Sequence, residues 1–147
     1  MGGHPYWYFV DYNSDVASAL HDLREREFLA GRYNPAMPFI DFPIDPESRG
    51  PGPRHPSIKA ALTASEADGT RSILDIEHTG TRPDHGVAVP LDGRVLQSLY
   101  GTSQPSHAMV ADNLDFMEQI DRGHCVYFTV FRDGIPHELV FAGYSYD

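Results

Sequence analysis

The sequence predicts an α+β domain, with a mainly antiparallel sheet of about four strands and helices packed on one face. Three observations predict it. Strand-like and helix-like stretches follow one another as β-α-loop-α-β-α-α-β-β, without the regular βαβ repeat of a parallel sheet. The chain ends in a hairpin signature, two alternating apolar runs joined by Asp133-Gly134. The 147 residues hold no internal repeat and no second core, so 1–147 is expected to be a single domain.

The first strand is expected over Tyr6 to Tyr12, where aromatic residues are dense. Tyr6, Tyr8 and Val10 fall on one face, Trp7 and Phe9 on the other. Apolar residues on both faces predict an interior strand. Asn13, Ser14 or Asp15 then caps a helix running to about Ala30. Val16, Leu20 and Leu23 share a stripe of that helix, and Glu27 falls on the same stripe. Arg24 and Arg26 flank it. Gly31 reads as the left-handed residue that ends the helix, and Asn34-Pro35 forbids its resumption.

Residues 34–56 carry seven prolines interleaved with Phe39, Ile40, Phe42 and Ile44. A free linker would be polar, so a long ordered covering loop is expected, either a lid or a plain cover. Ser57 caps a second helix bearing Ile58, Ala61, Leu62 and Ser65, and Gly69 ends it. A second strand is expected over Ser72 to Glu77, followed by a loop containing His78, Arg82, Asp84 and His85. Asp92 caps a short helix stopped by Gly101. A further helix starts between Thr102 and Ser106, with Val110, Leu114, Met117 and Ile120 as its stripe.

Cys125 to Arg132 and Ile135 to Tyr146 form the hairpin. A two-residue turn pairs Arg132 with Ile135, and counting back sets Val126 against Phe141 and Phe128 against Leu139. That face is expected in the core. The face carrying Cys125, Tyr127 and Thr129 is half polar and is expected to meet water or a cleft.

Composition excludes several functions. The net charge is −10 with only 11 lysines and arginines, and no basic run exists to hold phosphates. Nucleic acid and anionic membrane surfaces are therefore not expected partners. No apolar run is long enough to span a membrane, and no secretory pattern is present, so a cytoplasmic location is expected. Cys125 is the only cysteine, which removes an intramolecular disulfide and a multi-thiolate zinc site. It is expected to be buried and inert. Histidines lack helical ligand spacing, and neither a metal nor any other cofactor is expected. Glycine-rich phosphate loops and G-x-S-x-G elbows are absent. Asp75 and Glu77 share a strand face in this reading, a pattern that an exposed edge also gives.

The stretches Y-W-Y-F-V-D-Y, E-R-E-F-L-A-G-R-Y-N-P, D-G-T-R-S-I-L-D-I-E and V-F-A-G-Y-S-Y-D resemble those of a group of small bacterial proteins of unknown function. The resemblance spans most of the chain. It implies no activity, ligand or site residue.

One candidate site remains. A carboxylate on a core-facing stripe requires a partner, because an unpaired buried charge is too costly to keep. Arg32 can hold Glu27 through two hydrogen bonds. Glu27, Arg32, Tyr33 and Asn34 are the expected lining of a ligand cleft, with Tyr8 or Tyr127 on its floor. The acidic balance and the missing catalytic motifs favour a non-enzymatic binding or regulatory protein with a protein partner. The alternative is a small-molecule-binding protein or enzyme, with Arg32 holding a small anionic ligand and Glu27 or a tyrosine moving protons. A purely structural clamp at the helix end would give the same residues.

Overall fold

The terminal hairpin forms the middle of the sheet, not its end. In this computed structural model, which describes residues 3–37 and 41–147, the strands are β1 (Pro5–Asp11), β2 (His78–Thr79), β3 (Val87–Pro90), β4 (Cys125–Arg132) and β5 (Ile135–Tyr144). Their order across the five-stranded sheet is β1-β5-β4-β3-β2. β1, β5 and β4 are antiparallel, whereas β4–β3 and β3–β2 are parallel. The sheet is thus mixed and has one strand more than expected.

Helices cover both faces, which corrects the one-sided arrangement read from the sequence. α1 (Val16–Ala30), α2 (Ile58–Ala64) and a 3-10 turn at Ile73–Asp75 pack with Tyr6, Tyr8, Leu139 and Phe141. α3 (Gly93–Tyr100), α4 (His107–Asp112) and a 3-10 turn at Asp115–Gln119 pack with Val126, Phe128, Val130 and Val140 on the other face. Period-two alternation sends successive residues to opposite faces, so Cys125 and Tyr127 join the first core and Val126 and Phe128 the second. No face of the hairpin's inner half is left to water, contrary to expectation. Among the described residues, no helix is long and apolar enough to cross a membrane.

The two first helices follow their caps. Asp15 accepts the Ser18 N–H and Ser57 accepts the Ala60 N–H at the starts of α1 and α2. Three expectations fail for local reasons. The strand over Ser72 to Glu77 is instead a 3-10 turn, because Ser72 caps Leu74 and the Asp75 carboxylate reaches back to the Thr70 N–H and hydroxyl at 2.9 and 2.7 Å. Asp75 and Glu77 therefore share no strand face. β3 falls in what the sequence presents as the end of a loop. The helix expected through Ile120 breaks at Asn113, whose backbone is extended and whose side chain accepts the Asp115 N–H and starts a new turn.

The hairpin turn has positive φ at both Asp133 and Gly134, as a two-residue turn of this kind requires. Arg132 pairs with Ile135 and Phe131 with Pro136, as counted. A bulge then adds one residue on β5, so that Val130 pairs with Glu138 and Val126 with Ala142, not Phe141. Val126 and Phe141 lie on opposite faces, which overturns the expected register. The slip falls directly beyond the Phe131–Pro136 pair, a non-hydrogen-bonded position: the Phe131 N–H points away from β5, to the Pro105 carbonyl at 2.8 Å, so Pro136 sits there without costing the ladder a bond.

β1 has apolar residues on both faces yet lies at the edge of the sheet, not in its interior. Part of its outer edge is closed by the proline-rich segment: Ile44 forms a parallel bridge with Tyr6, and the Trp7 N–H donates to the Ile44 carbonyl at 3.2 Å. Ala36, Met37 and Ile44 of that segment are buried, and Phe42 packs on the same core. Phe39 and Ile40, expected as further anchors, lie outside the described residues.

Candidate binding cleft

The end of α1 builds the site. Gly31 adopts φ 75°, in the left-handed region that favours glycine. Its N–H reaches the Phe28 carbonyl at 3.0 Å, and the Arg32 N–H reaches the Glu27 carbonyl at 3.1 Å. These two bonds define a Schellman stop. Such a stop brings the residue after the glycine against the residue five positions before it, commonly as an apolar pair. Here the two positions hold Arg32 and Glu27, so the same backbone turn delivers an ion pair. Gly52 crosses the helix end and donates its N–H to the Ala30 carbonyl at 2.7 Å, leaving no room for a side chain at position 31.

Glu27 is fully buried. Arg32 Nε donates to Glu27 Oε1 at 2.8 Å and Arg32 Nη2 to Oε2 at 2.7 Å, a bidentate fork. Arg26 Nε adds a third bond to Oε2 at 3.0 Å. The carboxylate hydrogen bonds raise the pKa of Arg32 above its ordinary value, against the effect of burial. Arg24, the other flanking arginine, turns away and donates to the Leu74 carbonyl at 2.7 Å.

A cavity of about 310 Å³ opens against these groups and the outer edge of β1, lined by Trp7, Tyr8, Phe9, Arg26, Glu27, Arg32, Pro46 and His107. Of the residues the sequence singles out, the structure brings Tyr8, Glu27 and Arg32 to this one place. Tyr8 spends its hydroxyl on accepting the Ile73 N–H at 3.2 Å, and burial raises its pKa well above the usual phenol value.

Tyr33, Asn34 and Tyr127 do not line this cavity. Tyr33 is fully buried against Phe28, and its oxygen accepts the Arg54 N–H and bonds His55 Nδ1 at 2.8 Å. It anchors the proline-rich segment. Asn34 ties two loops together, donating Nδ2–H to the Gly69 carbonyl and its backbone N–H to the Thr70 carbonyl. Tyr127 sits on β4, two strands in from β1, beside Phe141.

Sequence reasoning missed Trp7, Phe9, Pro46 and His107 as cleft residues. His107 stacks on Phe9 with ring centres 4.0 Å apart and bonds the Glu138 carboxylate at 2.8 Å. No local pattern joins positions so far apart in the chain. Arg26 was legible as a flank of Glu27, but not as its third donor.

Both oxygens of Glu27 are engaged by guanidinium groups, so the carboxylate is spent as a proton acceptor. Two guanidiniums on one carboxylate leave a single positive charge at the cavity wall. Among the described residues, Arg32 Nη1 and Arg26 Nη2 make no hydrogen bond and remain as donors. The comparisons with family models, curated proteins and solved structures find no match to this chain.

Proposed function

We propose that this chain is a non-enzymatic binding protein whose cleft between α1 and β1 takes a ligand bearing a carboxylate. The observation that carries this reading is the gathering of Arg26 and Arg32 on one buried carboxylate beside a cavity of about 310 Å³. Glu27 fixes both guanidiniums before any ligand arrives, and preorganised donors lose less freedom on binding. The residual positive charge selects an anion. Trp7 and Phe9 offer apolar wall, and Pro46 makes the proline-rich segment one side of the cleft. The net charge of −10 opposes an anion at long range, so affinity rests on contacts in the cleft.

The enzymatic alternative draws less support, because both Glu27 oxygens already accept guanidinium bonds and burial holds the Tyr8 pKa well above the usual phenol value. Titration of the labelled protein with benzoate tests the reading. Amide and side-chain resonances of Trp7, Phe9, Arg26 and Arg32 are expected to shift together and to saturate, and Arg26→Met is expected to weaken the effect. Unmoved resonances at those four residues would refute carboxylate binding.

A further inference from the structure

We infer that the carboxylate belongs to the C-terminus of an extended peptide, which adds to the outer edge of β1 antiparallel to it. This rests on the cleft binding carboxylates as proposed above.

The edge itself supplies the argument. In an antiparallel pair, alternate residues turn both N–H and C=O toward the partner, and the others turn both away. The Trp7 N–H points outward, to Ile44, while the Tyr12 N–H points inward, to the His137 carbonyl. Phe9 and Asp11 share the parity of Trp7, so their N–H and C=O groups also face outward. Among the described residues, the one outward partner recorded there is Arg26 Nη1, at 3.5 Å from the Phe9 carbonyl. The segment that pairs with Tyr6 and Trp7 leaves the edge at Asp45, where it turns on bonds between Asp45 and Ser48. Backbone pairing on this edge therefore ends at Trp7, and from Phe9 to Asp11 the edge meets only Arg26 Nη1, at the Phe9 carbonyl.

Two cavities lie along this stretch. The first is the one at Arg26 and Arg32; the second, about 550 Å³, lies between β1 and α1 and includes Val10, Asp11, Asp22, Leu23 and Arg26. Arg26 lines both, so the two cavities adjoin between an edge strand and a helix. Main-chain pairing along such an edge, with pockets for alternate side chains, is a recurring mode of peptide recognition.

Charge sets the direction. The guanidiniums stand at the Tyr8–Phe9 end, where Pro46 of the segment that pairs with Tyr6 and Trp7 also lines the cavity. A peptide must stop there, with its terminal carboxylate on Arg26 and Arg32. Its earlier residues then run toward Asp11, opposite to β1. The last peptide residue pairs with Phe9 and the penultimate residue lies opposite Val10. The penultimate side chain projects to the face of Val10, which is the face α1 covers. There it meets Leu23 along its stem and Asp22 at its end, which suits lysine, an apolar stem with a cationic tip.

The test uses the whole chain and the peptide acetyl-Val-Lys-Val with a free carboxylate. Its C-terminal amide, and a version methylated on the last peptide nitrogen, serve as comparisons, with benzoate alongside. The free acid is expected to bind, and to slow hydrogen exchange at the Phe9 and Asp11 amides. Amidation and N-methylation should each weaken binding by about tenfold or more, one removing the charge and the other the bond to the Phe9 carbonyl. Replacing the peptide lysine by glutamate should weaken it as well. Equal binding of the N-methylated peptide, with benzoate still bound at Arg26 and Arg32, overturns strand addition and leaves the carboxylate site standing. Equal binding of the amide also overturns the inference. Failure of both benzoate and the peptide overturns the inference and the cleft reading together.

Discussion

Arg32 folds back across a helix stop to hold Glu27 from both sides of its carboxylate, at 2.8 and 2.7 Å. The two partners differ in burial: the Glu27 side chain is 1% exposed and that of Arg32 23%. This asymmetry predicts unequal costs for breaking the pair. Arg32→Met leaves a buried carboxylate held by Arg26 alone, through one bond to Oε2, and is expected to destabilise by about 2–3 kcal/mol, less than a full loss of pairing. Glu27→Gln leaves guanidiniums that can hydrate, and retains an acceptor oxygen, so about 1–2 kcal/mol is expected. Urea unfolding midpoints at neutral pH check the order. Equal losses would mean that the burial difference does not govern the pair.

Tyr6 predicts a gain. Its hydroxyl is buried and has no hydrogen-bond partner among the described residues. The Cys125 sulfur beside it is only a weak acceptor, and its own hydrogen goes to the Val126 carbonyl at 3.6 Å. An unpaired buried hydroxyl costs about 1–3 kcal/mol. Tyr6→Phe is therefore expected to hold or raise the melting temperature. Gly143→Ala should lower it, since a methyl there would come within 2.7 Å of the Tyr6 oxygen. A clear drop in the Tyr6→Phe melt contradicts the assignment of that hydroxyl as unpaired.

Cys125 predicts an alkaline limit. Burial pushes its thiol up to about 12, from an ordinary value near 9.0. The folded protein then holds the thiol proton more tightly than the unfolded chain does. That contribution to stability is complete below the unfolded value and is lost as pH rises toward the folded one. The unfolding midpoint should fall between about pH 9 and 12, and fall less steeply in Cys125→Ala. Thiol-reagent labelling of the native protein should be slow and should accelerate in denaturant. Fast native labelling contradicts burial of the thiol.

Asp75 predicts the opposite of a salt-bridged carboxylate. Burial raises its pKa, outweighing the bonds from Thr70. The folded state thus binds this proton more tightly, so acidification through the raised pKa toward the ordinary carboxylate value of about 4 favours folding at this site. Wild type should gain stability over that window relative to Asp75→Asn. A wild-type curve that loses ground to the variant on acidification would reverse the sign.

How far the sequence was legible depended on distance along the chain. α1, a cap among Asn13, Ser14 and Asp15, the Gly31 stop and the Glu27–Arg32 pair were readable because each is decided within a few residues, and the structure picks Asp15. β3 was not, since Val87–Pro90 is short, and its parallel pairing with β4 gives no hairpin signal. The split of the sheet's cover into two sides was half-legible: Tyr6 and Trp7 announced apolar surfaces on both faces of β1, but nothing local said that β1 would stand at an edge. Pro46 and His107 joined the cleft through tertiary contacts, beyond the reach of periodicity. The hairpin was found by its turn and misaligned by one residue, because counting back from the turn assumes an unbroken ladder and the bulge beyond Phe131–Pro136 breaks it.

The bulge beyond Phe131 sets how the hairpin tolerates changes of length. Between Glu138 and Gly143, β5 is clamped by β1 on one side and β4 on the other, with both faces in a core. A residue gained or lost there would invert every side chain beyond it. Between Phe131 and His137 the hairpin already carries one residue of slack in the bulge, next to an exposed Ile135. A deletion in that span can be absorbed by straightening the bulge, and an insertion by widening the turn. The tip is the part of this sheet where chain length can drift while the core keeps its phase.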